Sequence, residues 1–156
     1  MGIEKLLIEV EKLHQRNVLS QHIAEDYFEP GMMEYLDQSE GIYNSESGEI
    51  LLRFESKGTR YEGRTERIER VHTGDAIRVV RDFENPYNAN NFVLLTEKGH
   101  DVGYMPADLC NAIAPLYDCG ELKFIGASVS YAEPISKRSR YAKQAVLFIE
   151  LKLMLN

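Results

Sequence analysis

The fold of this chain is decided by three short phrases that occur in a fixed order: Gly58-Thr59-Arg60-Tyr61-Glu62-Gly63, Arg81-Asp82-Phe83-Glu84-Asn85-Pro86-Tyr87-Asn88 and Val102-Gly103-Tyr104-Met105-Pro106. Each phrase places Gly or Pro beside an aromatic residue or an arginine, at the end of an apolar run. A rigid scaffold presents side chains to ligands at such places. Arginine and tyrosine together suit a ligand that carries phosphates and flat bases.

Taken together, the three phrases resemble the HIRAN family. Its members occur at the front of SWI/SNF-type DNA remodelling ATPases and as small free-standing bacterial and phage proteins. The resemblance runs from about Ile50 to Leu155. It implies an α+β fold, a small OB-like β-barrel with one or two helices. It also implies binding of the 3′ end of single-stranded DNA, in DNA repair, replication-fork processing or remodelling.

Hydrophobic periodicity predicts the elements of this region. Strands are expected over residues 50–54, 77–80, 122–131 and 145–154, with a hairpin over 92–105. A helix is expected over 106–119, with a kink or break at Pro115 and Gly120 as its cap. Short strands with one helix among them fit a small barrel, although periodicity alone fits other small α+β domains equally well.

The first 48 residues form a different kind of segment. Apolar residues at helical spacing predict an amphipathic helix over residues 3–16, which could continue to Phe28. Residues 39–48 are polar and contain glycine, which is typical of a linker. We therefore expect an acidic helical segment and linker over 1–48, and the barrel domain over 49–156.

The charge of the chain is divided in the same way. The net charge is −7, but residues 1–50 hold 3 basic and 11 acidic residues, whereas residues 51–156 hold 15 and 14. This division indicates two functional parts. A nearly neutral domain can still hold a DNA end if its basic groups cluster, although its nonspecific affinity for duplex DNA should be poor.

The first and third phrases supply candidate contacts to a nucleic acid strand. The resemblance implies that Arg60 and Tyr61 lie in the DNA-binding groove, with the ring against a base, and that Tyr104 faces the strand. A guanidinium pairs with a phosphate, and a ring stacks on a base for about 1–3 kcal/mol. The alternatives are that Arg60 pairs with Glu62 while Tyr61 packs in the core, and that Tyr104 packs inside the barrel.

The second phrase supplies candidates for the pocket of the terminal nucleotide. Taken alone, its Asn and Pro residues are typical of a surface turn. The resemblance implies that Asn85 and Tyr87 build the pocket, and that the next position accepts a bond from the DNA 3′-hydroxyl. The family usually has aspartate there, and this chain has Asn88. An amide accepts or donates and repels a phosphate less than a carboxylate does, so strict selection of a 3′-hydroxyl is in doubt.

One cluster of basic residues completes the candidate site. Lys137, Arg138 and Arg140, followed by Lys143, surround a region that also contains Tyr141. This composition suits a track for phosphates, and it equally suits a solvated hairpin loop.

Other kinds of site find no support in the sequence. Cys110 and Cys119 fit neither a disulfide framework nor a zinc pattern, and are expected to be small apolar residues near the core. The four histidines lack metal-ligand spacing, and no catalytic motif occurs. We therefore predict a non-enzymatic protein without metal or cofactor. No membrane span or signal peptide is found, which favours a cytoplasmic location.

Three functions remain open from the sequence. The first is a module that binds single-stranded DNA ends. The second is a module for protein interaction or self-association, which acts through the acidic helices of residues 3–36. The third is a domain whose DNA pocket is inactive because Asn88 replaces the family aspartate.

Overall fold

The structure, a computed structural model, describes residues 5–9, 12, 42–44, 47–138 and 140–156. Two helices and seven strands follow one another in these ranges. In chain order they are β1 (Ile42–Asn44), β2 (Glu49–Glu55), α1 (Arg64–Ile68), β3 (Ile77–Asp82), β4 (Asn91–Thr96), β5 (Asp101–Tyr104), α2 (Ala107–Asp118), β6 (Leu122–Glu133) and β7 (Val146–Leu155), with a 3₁₀ turn at Ile135–Lys137. Residues 5–9 and 12 are also helical.

The strands form two antiparallel sheets. One has the order β1-β2-β7-β6, and the other has the order β3-β4-β5. The sheets meet at two isolated bridges, Lys57 with Tyr104 and Ala76 with Ser128. The predicted β-rich fold with few helices is therefore confirmed, while the two sheets join at single bridges and not along continuous ladders.

The long strand β6 reaches both sheets because it bends. Its pairing with β7 shifts register between Phe124 and Gly126 and again between Val129 and Tyr131. Such irregularities bend a strand and increase its twist. Val129 consequently exchanges backbone hydrogen bonds with residues 74 and 75, at 2.8 and 2.9 Å, just before β3 begins.

The core follows the alternation expected of half-buried strands. In β2, Ile50, Leu52 and Phe54 are fully buried, and the residues between them are half-exposed. In β7, four residues of one face are fully buried, namely Leu147, Ile149, Leu151 and Leu153. Helix α2 adds Leu109, Ile113 and Leu116 to this core and packs on β4 and β6, as the shared face of these residues predicts.

Two details of the sequence prediction are corrected. The segment 39–48 is not only a linker, because β1 pairs with β2 from Ile42 opposite Leu51 to Asn44 opposite Glu49. Ile and Tyr favour strands, and β1 covers an otherwise open edge of β2. Helix α2 also runs past Pro115 to Asp118, and Gly120 follows it with a φ of 78° as the predicted cap.

The N-terminal segment is described only in part. Leu6 is fully buried and belongs to the same hydrophobic cluster as the strands and α2, while Ile8 is exposed. The predicted continuation of this helix to Phe28 and its acidic partner surface lie outside the described residues. The boundary near residue 48 stays a prediction.

Candidate nucleic-acid interface

The first phrase forms a tight loop at the end of β2, which we call the arginine–tyrosine loop (residues 58–63). Gly58 and Gly63 have φ values of 75° and 76°, and Glu62 has a φ of 56°. The amide of Tyr61 donates to the Gly58 carbonyl at 3.1 Å. These turns leave Arg60 and Tyr61 on the outside, and Tyr61 is 61% exposed. Tyr61 therefore does not pack in the core.

A buried arginine holds this loop in place. The Arg64 side chain is 2% exposed, and its Nε and Nη2 atoms each donate to the Asp101 carboxylate at 3.0 Å. Its Nη1 donates to the carbonyl of Gly58 at 3.1 Å, and Nη2 also reaches Glu62 at 3.2 Å. Glu62 thus pairs with Arg64. Burial acts to lower the pKa of Arg64, but the hydrogen bonds and charge of Asp101 outweigh it, so the pKa is raised.

Tyr104 stabilises the same loop through its contact with Arg64. Its ring lies 4.4 Å from the Arg64 guanidinium, in a cation–π contact, and it is half-buried. Its backbone pairs with Lys57 in both directions at 2.9 Å. The preceding Gly103 is required, because a Cβ there would lie 2.0 Å from the Ser56 Oγ and 2.7 Å from the Lys57 carbonyl oxygen. Tyr104 therefore positions the loop, whatever else its ring contacts.

The segment that carries the basic cluster is attached beside α1 at one end and to the arginine–tyrosine loop at the other. Ser136 donates from its backbone and hydroxyl to Glu69, at 3.0 and 2.8 Å, just after α1. At the other end, Thr59 Oγ1 donates to the Ala145 carbonyl at 2.9 Å, and the Ala145 amide donates to Thr65 at 3.3 Å. Ser136 and Ala145, one on each side of the basic cluster, are thereby bonded to α1 and the residues that flank it.

The side chains of the basic cluster differ in exposure. Lys137 and Arg140 are exposed, and the Arg140 guanidinium lies 4.8 Å from the ring of the exposed Tyr141. Arg138 is half-buried, and its Nη1 atom is buried without a hydrogen-bond partner among the described residues. Lys137, Arg140 and Lys143, which are all exposed, are therefore the members most accessible to a ligand.

The second phrase forms the asparagine loop (residues 83–90), which connects β3 to β4. The Asn85 Oδ1 accepts the amides of Tyr87 and Asn88 at 2.9 and 3.0 Å, so the side chain closes the turn on its own backbone. Asn85 also donates to Asp82 at 3.3 Å. Tyr87 is 95% exposed. The predicted turn thus presents a tyrosine to solvent.

Asn88 is half-buried and uses both ends of its amide within the protein. Its Oδ1 accepts the Asn90 amide at 3.0 Å, and its Nδ2 donates to Asn111 Oδ1 of α2 at 3.0 Å. Asn90 Nδ2 donates to the same Asn111 oxygen at 3.2 Å. The carboxylate usual in the family would keep the first bond and lose the second, because it cannot donate.

Another buried arginine holds the asparagine loop. The Arg81 side chain is 7% exposed, and its Nε and Nη2 donate to the Asp118 carboxylate at 3.0 Å each. Its Nη1 donates to the carbonyls of Ala89 and Asn91, at 2.6 and 3.1 Å. The guanidinium also lies 4.3 Å from the ring of Phe83.

The structure gathers most of the predicted residues but divides them into two groups. The arginine–tyrosine loop, Tyr104 and the basic cluster share one neighbourhood around α1. The asparagine loop sits against α2. Tyr104 of β5 pairs with Val93 of β4 on one side and with Lys57 on the other. The asparagine loop directly precedes β4, and the arginine–tyrosine loop directly follows Lys57. The two loops are therefore attached to the strands that flank β5. Two strand spacings, about 10 Å, separate those strands.

Several residues of this region escaped the sequence interpretation. They are Arg64 and Arg81, their partners Asp101 and Asp118, the exposed Phe83, and Asn111. Arg81 opens the second phrase, and Arg64 directly follows the first, so an arginine beside each motif was the available signal. The aspartates are 37 residues from their arginines, beyond the reach of local patterns.

Of the two cysteines, only Cys110 is buried near the core as predicted. Cys110 is buried, and desolvation raises the pKa of its thiol to about 11. It packs in the core as a small apolar residue. Cys119 is exposed, because it lies just beyond the end of α2 and not on its buried face.

Two further kinds of feature are absent from the part of the chain that the structure describes. No three or more His, Cys, Asp or Glu side chains there are placed to hold a metal ion. No helix in that part is long and apolar enough to cross a membrane.

A model of the HIRAN domain matches residues 51–152, well over half of the chain. The chain belongs to the HIRAN family. The matched range contains both loops, both buried arginines and the basic cluster of this HIRAN domain. No curated protein matches the chain.

Some solved structures are similar to this chain. A protein from Lactobacillus plantarum is 17% identical with a TM-score of 0.50, over 67% of this chain and 98% of that one. The crystal structure of the HIRAN domain of human HLTF is 21% identical with a TM-score of 0.47, over 65% and 74% of the two chains. The HLTF HIRAN domain in its DNA-bound conformation is 19% identical with a TM-score of 0.45, over 68% and 76%.

Proposed function

We propose that this HIRAN domain is a non-enzymatic module that binds the 3′ end of single-stranded DNA. The observation that carries the proposal is Tyr61, an exposed aromatic ring beside Arg60 on a loop that a buried arginine holds rigid. A rigid, exposed ring beside a cation loses little entropy on binding, and it suits a base and its phosphate. Membership of a family with a DNA-bound member supports the same conclusion.

Each group of residues has a distinct role in this proposal. Arg60 pairs with a phosphate and Tyr61 stacks on a base, while Tyr104 stabilises their loop through Arg64. Lys137 and Arg140 attract the phosphate backbone of the DNA where it extends beyond the arginine–tyrosine loop. The half-buried Arg138 adds its charge to theirs. Asn85, Tyr87 and Asn88 receive the terminal nucleotide on the far side of β5. The gap of about 10 Å fits roughly three stacked nucleotides at about 3.4 Å each.

The sheet arrangement supports an OB-like interpretation of the fold. OB-type domains are partly open barrels that bind oligonucleotides across one face and its loops. The two bridges that join the sheets here are consistent with such a barrel. A role in DNA repair, replication-fork processing or remodelling fits a protein that recognises DNA ends.

Nucleotide-end recognition is tested by comparing matched oligonucleotides in a fluorescence binding assay. The set has the same sequence with a free 3′-hydroxyl, a 3′-phosphate, a blocked 5′ end, or no end in a circular strand. We expect strands with an accessible 3′ end to bind best, and affinity to fall with added salt, because phosphate contacts release counterions. Equal affinity for the circular strand would reduce the proposal to nonspecific single-strand binding, and no binding at low salt would reject it.

A further inference from the structure

Phe83 is the feature of the asparagine loop that the proposed function leaves without a role. It is the first residue after β3 and lies in a turn in which the Asn85 amide donates to the Asp82 carbonyl at 3.4 Å. Its ring is 63% exposed. Turns of this kind favour small polar residues, so a large apolar ring at this point is unusual.

Exposure alone would not single out this residue, because isolated exposed apolar side chains are common on protein surfaces. What distinguishes Phe83 is the support beneath it. The Arg81 guanidinium lies 4.3 Å from the ring centroid. The Arg81 side chain is itself 7% exposed and makes two bonds to Asp118 and two to loop carbonyls. The ring therefore rests on a fixed cation.

The same loop carries a second exposed ring, Tyr87, two residues after Asn85. Exposed rings on a loop with a rigid base are the arrangement that proteins use to stack successive bases of a single strand. A cation against one face of a ring draws electron density from the other face. That effect favours stacking of the larger, electron-rich purines on the open face.

We propose that Phe83 is a base-stacking platform of the DNA site, which receives a purine next to the terminal nucleotide. This inference rests on the proposed function, since it assigns a further contact to the same strand. It adds a determinant of base preference at Phe83, a residue of the second phrase to which the sequence alone assigned no role. Arg81 is the positioning residue of this platform, since it acts on the strand through the Phe83 ring.

The test combines Phe83 variants with an abasic scan. Wild type, Phe83→Ala and Phe83→Leu are titrated with oligonucleotides that lack a base at one of the last four 3′ positions in turn. Ile125→Ala is the matched control, because Ile125 is another exposed apolar side chain, 47% exposed, on β6. We expect both Phe83 variants to bind the intact strand roughly fivefold to hundredfold more weakly, and the control to bind like wild type.

The abasic scan identifies the base involved. One abasic position should weaken wild type as much as Phe83→Ala does, and on that strand the two proteins should bind equally. Adenine at that position should bind wild type more tightly than thymine, and this preference should vanish in Phe83→Leu.

Other outcomes overturn the inference. If Phe83→Ala binds the intact strand like wild type, the platform is absent while DNA-end binding stands. If the loss persists at every abasic position, Phe83 acts on the loop and not on a base. If wild type binds no strand, the proposed function fails first and the platform fails with it.

Discussion

The arginine–tyrosine loop and the asparagine loop are held by the same device, yet they draw their support from different parts of the chain. In each, an arginine under 10% exposed makes two 3.0 Å bonds to an aspartate, donates to a carbonyl of the loop, and lies against an aromatic ring. The first loop then depends on distant partners, with Thr59 bonded to Ala145, 86 residues away. The second closes mainly on itself through Asn85 and Asn88.

The two loops are therefore held in place by different parts of the protein. The arginine–tyrosine loop is fixed to both sheets, so its geometry depends on the whole fold. The asparagine loop is fixed by its own turns and by α2, so its geometry survives changes elsewhere more easily. Substitutions in the anchors can separate these two cases.

The largest effect is expected from Asp101→Ala. Removing this carboxylate breaks the bond to the Gly103 amide. Among the described residues it leaves the Arg64 guanidinium, 2% exposed, with only the exposed Glu62 as a charge partner. Loss of one member of a buried ion pair costs about 3–5 kcal/mol. Chemical denaturation of the purified variant measures this change in the free energy of unfolding.

Asp101→Asn is the control for that measurement, because it keeps one acceptor for Arg64 and should cost less. A change below about 1 kcal/mol in Asp101→Ala would show that Arg64 does not depend on this carboxylate.

The corresponding change in the other loop, Asp118→Ala, should destabilise the protein by a smaller amount, about 1–2 kcal/mol. Arg81 would keep its bonds to two loop carbonyls and its contacts with the rings of Phe83 and Phe92. Asp118 also stands at the C-terminal end of α2, where the helix dipole disfavours a negative charge, so its removal recovers part of the loss. The same denaturation experiment ranks the two anchors, and an equal or larger loss than in Asp101→Ala would refute the difference argued here.

The exposed residues should behave in the opposite way to the anchors. Tyr61→Ala and Arg60→Ala are each expected to weaken single-strand binding by at least about 1 kcal/mol, because they remove a stacking ring and a phosphate partner. Both side chains are exposed, so the melting temperature should stay near that of wild type. Oligonucleotide titration and thermal unfolding of the same samples check the two statements.

Tyr61→Phe separates the ring from the hydroxyl and should bind like wild type. Unchanged binding in both alanine variants would remove the arginine–tyrosine loop from the DNA site. If both alanine variants unfold, Arg60 and Tyr61 stabilise the fold instead of binding DNA.

The sequence predicted the elements of this protein better than its connections. Alternation in residues 50–54 and 145–154 and the helical face around Ile113 are local patterns, and they appear in the structure at almost the same bounds. β1 was missed because three residues give no periodicity. The short helix α1 was missed for a similar reason, since five residues beginning at Arg64 make little more than one turn.

The candidate site shows the same limit. Exposed residues such as Tyr61 and Tyr87 could be singled out, because glycine and proline beside an aromatic form a local signal. The pairing of Arg64 with Asp101 could not, since no local rule joins residues 37 apart. The role of Asn111 was hidden as well, because it becomes visible only when α2 is placed against the asparagine loop.

The smallest effect, and the most specific, is expected from Asn88→Asp. A carboxylate at this position repels a terminal phosphate, whereas a free 3′-hydroxyl can donate a charge-assisted hydrogen bond to it. Discrimination in favour of the 3′-hydroxyl over the 3′-phosphate should therefore increase by about 1 kcal/mol. The substitution keeps the bond from the Asn90 amide but replaces the donor to Asn111 with a second acceptor, so the Asn111 amide must reverse to donate.

Asn111→Ala, which removes that partner and leaves Asn88 neutral, is the control and should not change the preference. Titration of both variants with paired strands that differ only at the 3′ terminus decides the matter. Equal preference ratios in wild type and Asn88→Asp would place this residue outside the end-binding pocket and leave recognition of the 3′ terminus without this contact.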